Sequence, residues 1–419
     1  MPDPSTPSPC PPVLRLGLEP GLTPALARAL LAECGSAAGV YAASPTRLAA
    51  IVGSRLARQL VAPPDSELQA AITAVQAWIA QPDQHCMGWD DPDYPPLLRH
   101  IHDPPVLLYV VGQRAALSRP GLAIVGARQG SPGGRETAEA FARHLAVAGW
   151  SIVSGLASGI DAAAHAGALA AGPEGGGTVA VLGTGADVIY PARHRALAAA
   201  VVASGGALVS ELPLGSPPRP ASCPPPGDCV AESARGVLVV EAALQSGSLI
   251  TARLAAELGR EVFAIPGSIH APLSRGCHAL IRQGAKLTET VADITDELGP
   301  GLAPAAPGAG RPRAAAPCEP SATSALAPSA PRQATPEAAV PGLGPAQADL
   351  ADDLALVPSA FLDPGLDTVL QAVGFDPVLV DDIQRRSGLP AASIQAALLR
   401  LELAGRVRRV PGGRFERAA

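Results

Sequence analysis

The stretch GLAIVGARQGSPGGRETAEAFARHLAVAGWSIVSGLASGIDAAAHAGALAAGPEGGGTVAVL, residues 121–182, alternates short apolar runs with longer segments of helical spacing. The runs fall at 122–125, 151–153 and 179–182, roughly 30 residues apart, and Ala- and Leu-rich segments fill most of the gaps. The same rhythm continues at 207–209, 237–240 and 262–265. Parallel neighbours need a crossover between them, and a helical crossover covers the sheet, so the runs read as continuous apolar strands buried on both faces. The expected fold class is therefore α/β, with a mostly parallel sheet between two layers of helices.

Outward from this core the chain changes character. Residues 1–13 are Pro- and Ser-rich and read as disordered. Residues 14–80 are helical in pattern, with Leu22, Ala25, Leu26, Ala29 and Leu30 on one helical spacing, a second stretch from Thr46 through Leu56, and Gly21 and Gly53 at the turns. A small helical bundle with ordinary turn glycines is the favoured reading; helix-hairpin-helix units that grip phosphate with backbone amides are the alternative, to which GLTP is a loose match. The domain expected at 81–298 begins with DDPDYPPLLRHIHDPPVLLYVVG, too rich in proline for a long helix, which feeds a first strand at 106–111. An Ala/Pro/Gly-rich linker is expected at 299–360 and a compact domain at 361–416. The latter reads as three short helices at 366–373, 378–386 and 391–404, followed by RVRRV, the turn PGG, and RFER. Three helices and a hairpin make a winged-helix arrangement. Its third helix offers Ser393, Ile394, Gln395, Ala396 and Ala397, which are poor at contacting phosphate or base, while the wing offers Arg406, Arg408, Arg409 and Arg414. Contact with protein is as good an expectation for this domain as reading of DNA.

The 419 residues carry 31 basic and 37 acidic side chains, a net charge of −6, which argues against holding nucleic acid by bulk charge. Lys286 is the one lysine, so directional phosphate contacts must come from Arg forks and backbone N–H groups. Seven scattered Cys without a C-x-x-C argue for a reduced cytoplasmic protein rather than a disulfide framework or zinc ribbon. The first residues, MPDPSTPSPCPP, lack the basic start and apolar stretch of a signal peptide, and no apolar run approaches the ~20 residues of a membrane span.

Open parallel sheets bind ligands beyond the carboxyl ends of their strands. After each apolar run here comes a small-residue loop: Gly126-Ala127-Arg128, SGLASGID (154–161), Gly183-Thr184-Gly185, Ser210-Glu211, Glu241 then SGSLITA (246–252), and Pro266-Gly267-Ser268. Glycines permit close backbone approach, and the N–H groups of the following helices attract anions. One such loop suits a mononucleotide; several in a row suit successive phosphates of a strand. Neither G-x-G-x-x-G nor G-x-x-x-x-G-K-[ST] occurs, so a nicotinamide cofactor and P-loop ATP hydrolysis are not supported, and no cofactor is expected. Asp161 and His165 share a helix face, but two ligands make a poor metal site; capping with one hydrogen bond is the expectation. Cys277, His278 and His270 lack metal spacing. Glu211 and Glu241 at strand ends have no matched nucleophile, so hydrogen bonding to neighbouring loops is expected rather than catalysis.

The stretches AIVGAR (123–128), SGLASGIDAAAH (154–165), VAVLGTGADVIYPARH (179–194), VSELP (209–213), VLVVEA (237–242), SGSLITAR (246–253), EVFAIPGSI (261–269) and GCHALIRQGAKL (276–287) resemble the DprA/Smf family, in order and at family spacing. The resemblance implies an extended Rossmann-like domain, with a helical start and a winged-helix end, that binds single-stranded DNA without cutting it. It implies protection of incoming strands in natural transformation, loading of a RecA-type recombinase and a homodimer. By matching positions, Gly126 and Arg128 contact backbone phosphate, Ser154, Gly155 and Gly159 form a second amide nest, Gly247 and Ser248 a third, and Lys286 adds charge.

One segment departs from the family. Where it carries a phenylalanine followed by P-x-R-N-R-I-I, this chain reads Cys223-Pro224-Pro225-Pro226-Gly227-Asp228-Cys229-Val230. A ring and two cations are lost and an anion appears, with an expected loss of affinity of roughly tens- to hundreds-fold. Two alternatives thus stand beside a strand binder: a partner-binding scaffold with an impaired groove, and a Rossmann-like nucleotide-processing enzyme. The second would carry P-G-G-x-G-T-x-x-E, and the nearest loop here, SGSLITAR, lacks that acid.

Overall fold

A computed structural model describes residues 12–101, 103–218, 227–301 and 364–418. Nine strands among these residues form one sheet: β1 (Gln84–Gly88), β2 (Leu107–Gly112), β3 (Gly121–Val125), β4 (Ser151–Ser154), β5 (Thr178–Val181), β6 (Ala207–Ser210), β7 (Gly236–Val239), β8 (Glu261–Ala264) and β9 (Lys286–Leu287). Their order is β1-β2-β6-β5-β4-β3-β7-β8-β9, and every pairing from β6 to β9 is parallel. β1 and β2 are antiparallel additions at one edge. The six apolar runs are all strands, as their Val/Ile/Leu content and near-complete burial require.

Five helices precede the sheet: α1 (Pro12–Leu18), α2 (Pro24–Cys34), α3 (Ala37–Ala42), α4 (Pro45–Val61) and α5 (Ser66–Ile79). Their starts follow from their caps. Thr23 and Ser44 accept backbone N–H groups and are each followed by a proline, whose fixed φ suits the first helical position. Gly53 sits at φ 78° inside α4 and breaks its helical path, as the turn reading of that glycine expects. Trp78 of α5 meets Tyr109 of β2 edge-on at 6.0 Å, and Leu68, Ile72 and Val75 share that cluster with Leu107, so the helices bury their apolar stripe against the antiparallel end of the sheet.

The remaining elements of the sheet domain are α6 (Pro96–Arg99), α7 (Pro132–Val147), α8 (Ile160–Ala170), α9 (Arg195–Ala203), α10 (Gly227–Glu232), α11 (Gly247–Glu257), α12 (Arg275–Arg282) and α13 (Ala292–Leu298). Side chains alternate across each strand. Leu122, Ile124, Ile152, Leu238 and Phe263 pack with α7 and α8 on one face, while Ala123, Val125, Val153, Val237 and Val239 pack with α11 and α12 on the other. Of the departing segment, residues 223–226 lie outside the described residues; its last residue, Val230, rejoins the core together with Ala231 and Ala234 beyond it.

The winged-helix unit contains α14 (Pro364–Val373), β10 (Val378–Leu379), α15 (Val380–Ser387), α16 (Ala391–Leu403), β11 (Val407–Val410) and β12 (Arg414–Arg417). β10 takes the start of what the pattern suggested was helix, and pairs with β12 outside the hairpin. Ile394, Ala397, Leu398 and Leu401 bury one side of α16. In the wing, Arg408 pairs with Glu416 and Arg409 lies over the Phe415 ring at 5.0 Å. No helix among the described residues is long and apolar enough to cross a membrane.

The tightest helix packing is between α7 and α8. A Cβ on Gly167 would stand 2.1 Å from the Glu139 carbonyl oxygen, a backbone atom that cannot move aside alone. Gly167→Ala is expected to destabilise the domain by about 1–3 kcal/mol and to lower the thermal midpoint by several degrees. Gly133→Ala, whose new methyl meets nothing nearer than 3.9 Å, should leave the melt unchanged within error.

Candidate functional site

The chain leaves β3 and builds outward through β4, β5 and β6, then returns to place β7 on the other side of β3. α7 follows β3 on one face and α11 follows β7 on the other, so a crevice is expected between their loops. Here the protein fills it with its own acid. Ser131 donates its backbone N–H to Glu241 Oε2 at 2.8 Å and its hydroxyl to Oε1 at 2.6 Å. Ala127 N–H donates to the Glu241 carbonyl at 2.7 Å, and Ser131 Oγ also accepts the Gly134 N–H at 2.9 Å. A Cβ on Gly134 would stand 2.3 Å from the Glu241 carboxyl carbon, so only glycine admits this cap. The carboxylate occupies the positive end of α7, where a nucleotide phosphate would otherwise sit. Glu241 is thus a structural hydrogen-bonding group, as the absence of a partner nucleophile suggested.

A second carboxylate fills the neighbouring loop. Asp161 lies in the first turn of α8 and is buried. Gly155 donates its N–H to Oδ2 at 3.1 Å. Burial pushes the Asp161 carboxyl up to about 6, against the stabilising pull of the Ala157 and Gly155 amides, the Arg128 charge and the Gly126 amide. Gly155 is glycine for this reason: its Cβ would stand 2.8 Å from Asp161 Oδ2. One turn along α8, His165 Nδ1 lies 2.8 Å from Thr178 Oγ1, whose hydroxyl donates to the Ile152 carbonyl. Burial pushes the imidazole down to about 4, opposed by hydrogen bonding at Ser154 and reinforced by the charge of His194. Among the described residues no group of three or more His, Cys, Asp or Glu is placed to hold a metal.

The residues singled out in the sequence therefore divide into two sets. Gly126, Ser154, Gly155 and Gly159 build the frame. A Cβ on Gly126 would meet Ile160 at 2.6 Å, and one on Gly159, at φ 81°, would meet the Ala127 carbonyl oxygen at 2.3 Å. Ser154 is fully buried and donates its hydroxyl to the Ile124 carbonyl at 2.6 Å. Within the protein the Gly155 amide serves Asp161 and the Ser154 hydroxyl serves β3. The other set faces out. Arg128 is exposed, with no hydrogen bond or ion pair to another described residue. Gly247 opens α11 with empty space around it, and the Ser248 N–H donates to the Ser246 hydroxyl at 3.3 Å. Lys286 does not join Arg128: it starts β9, three strands and about 14 Å from β3, and its Nζ is held by Glu297 at 2.5 Å.

Arg193 is a further candidate that the set did not include. It is exposed on the loop after β5, and its guanidinium donates to the Ser158 hydroxyl on the loop after β4. His194 Nδ1 lies 2.8 Å from the Leu156 carbonyl of the same loop. The basic run ARHR (192–195) after a glycine loop was the available signal. Arg128, Ser158 and Arg193 thus follow one another along the carboxyl edge of β3, β4 and β5.

Two family models match the chain: DNA recombination-mediator protein A over residues 85–299, and the DprA winged helix domain over residues 319–413. Protein Smf of Escherichia coli (strain K12) is 38% identical over 361 residues, 86% of this chain and 83% of that protein. DNA processing protein DprA of Streptococcus pneumoniae is 44% identical over 213 residues, 51% of this chain and 71% of that protein. The X-ray structure of DNA processing protein A from Streptococcus pneumoniae aligns with a TM-score of 0.58 at 34% identity, covering 68% of this chain and 98% of that one.

The buried pair on α8 carries opposite linkages to pH. Asp161 titrates at about 6 in the fold and near 4 unfolded, so it binds a proton more tightly when folded and adds stability as pH falls through 6. His165 titrates at about 4 in the fold and near 6.5 unfolded, so its contribution is lost as pH falls through that window. In the native chain the two slopes largely cancel between pH 6 and 4. Relative to the native chain, Asp161→Asn should make stability fall more steeply on acidification and His165→Asn less steeply, by up to about 1.4 kcal/mol per pH unit in urea titrations. Parallel pH profiles for all three proteins would refute the assignment.

Proposed function

The chain belongs to the DNA recombination-mediator protein A family, whose members include the Smf and DprA proteins, and from that membership we propose that it binds single-stranded DNA along the carboxyl edge of its parallel sheet without chemically altering it. The observation that carries this reading is the row of exposed Arg128 and Arg193 on a frame whose own acids are turned inward. An edge of two adjoining loops with outward guanidinium groups can follow a phosphate backbone, and Arg forks bind phosphate directionally. The start of α11 at Gly247 and Ser248 lies on the other side of β3 and extends the same edge. The Glu241 carboxylate is engaged by Ser131 rather than left free as a base. On this reading the role is non-enzymatic: the chain holds incoming strands in transformation, protects them and passes them to a RecA-type recombinase, acting in the cytoplasm as a homodimer. Relatives carrying the name DNA processing protein DprA support this assignment.

The impaired-groove reading keeps its own support, the Cys223–Val230 departure. Fluorescence anisotropy of a labelled dT20 strand, titrated at two salt concentrations, separates the readings. The native chain is compared with one carrying Cys223→Phe, Pro226→Arg, Gly227→Asn and Asp228→Arg. Binding by both supports the strand-binding reading; binding by the restored chain alone supports the impaired groove; binding by neither overturns strand binding. In whichever chain binds, Arg128→Gln should weaken binding about tenfold or more and flatten the plot of log K against log salt by about 0.7, the share of one phosphate contact to a single strand.

A further inference from the structure

Aromatic side chains are scarce in this protein: five Phe, four Tyr and three Trp in 419 residues. Those the structure describes are buried or half-buried, with one exception. Tyr190 is 56% exposed, whereas Tyr94, Tyr109, Trp150 and Phe263 are at most 2% exposed. Its ring shows no stacking or cation–π contact with another described residue, although its neighbour Ile189 packs against the cluster under α9. A chain with so few rings, which buries nearly all of them, leaves this one in water on the loop that links β5 to α9.

The position of the ring gives it a use. Tyr190 lies three residues before Arg193, and Arg193 reaches across to Ser158. Gly159, beside Ser158, packs onto the backbone of Ala127 and Arg128. His194 fixes the loop at its far side through the Leu156 carbonyl. The exposed ring is therefore carried by the loop whose Arg193 begins a series of contacts through Ser158 to the backbone of Arg128, along three adjoining loops. A single strand whose phosphates follow the two arginines presents its bases sideways, and every base has a face that stacks on an aromatic ring. The segment that supplies an aromatic in the family reads Cys223 here, so this chain has no ring at that position.

We propose that Tyr190 is the base-stacking platform of this protein, seating one base of a single strand whose phosphates are held by Arg193 and Arg128. This inference rests on the strand-binding reading and adds to it a contact with the bases, where the arginines contact only the backbone. It makes binding depend on the presence of bases, without dependence on their identity.

The test uses the full chain and two labelled probes of equal length and charge: dT20, and a strand in which the sugars carry no bases. Anisotropy titrations are run on the native chain, Tyr190→Leu and Tyr190→Phe, with thermal melts confirming that each is folded. The expected result is tighter binding of dT20 than of the abasic strand by the native chain, a loss of about tenfold on dT20 in Tyr190→Leu, no change on the abasic strand, and recovery in Tyr190→Phe, which keeps the ring. An equal loss on both probes, or no loss on either, overturns the platform while leaving strand binding in place. Failure of the native chain to bind either probe overturns the strand-binding reading and the platform with it. Failure of Tyr190→Phe to recover binding assigns the effect to the hydroxyl and also overturns the platform.

Discussion

Glu241 stands where the chain reverses across the sheet, and its carboxylate closes the crevice that an open parallel sheet leaves there. Much else at that edge depends on this one bond set. It caps α7, sets the course of residues 126–131 against β7 through the Ala127 amide, and demands glycine at 134. The carboxylate takes the position at the start of α7 that an outside anion would otherwise use. Asp161 repeats the device one strand further on, and the close contact of Gly159 with Ala127 and Arg128 joins the two loops. The exposed Arg128 and Arg193 thus stand on loops whose glycine-rich backbone is tied down by two internal carboxylates.

The sheet was legible because its inner strands are buried on both faces, which writes them as continuous apolar runs such as 122–125 and 237–240. β1 escaped because Gln84, His85 and Cys86 are only half-buried on an edge strand, and β9 because two residues carry no period. β10 was lost in the same way, since Val378 and Leu379 merge by pattern into the helix behind them. The loops were legible as special, because serines and glycines clustered after each run. Their internal partners were not. Glu241 lies 110 residues from Ser131, and no local spacing announces that they meet. Asp161 was within reach of inference, six residues from Gly155, but a carboxylate that takes up loop amides and one that caps a helix look the same in a sequence. Arg193 was hidden by attention to glycines, although the charge it supplies was written plainly in ARHR.

The frame also explains why glycines here have two unlike reasons. Gly126, Gly134, Gly155 and Gly167 are small because a neighbour occupies the volume a side chain would need. Gly21 and Gly53 take positive φ in open surroundings and serve backbone path alone. Gly159 meets both demands at once, and its place between the loops of β3 and β4 makes it the least replaceable of the set.

The ion pair between Lys286 and Glu297 has a practical side. A chain with a single lysine offers amine-reactive reagents one side-chain target, and that target sits on β9, at the opposite end of the sheet from β1 and well away from Arg128. Dyes, biotin or surface linkers of that chemistry attach at β9 or at the amino terminus and leave the arginine edge chemically untouched. Amine coupling thus spares the arginine edge, whereas any footprint of what covers that edge requires reagents that modify guanidinium groups.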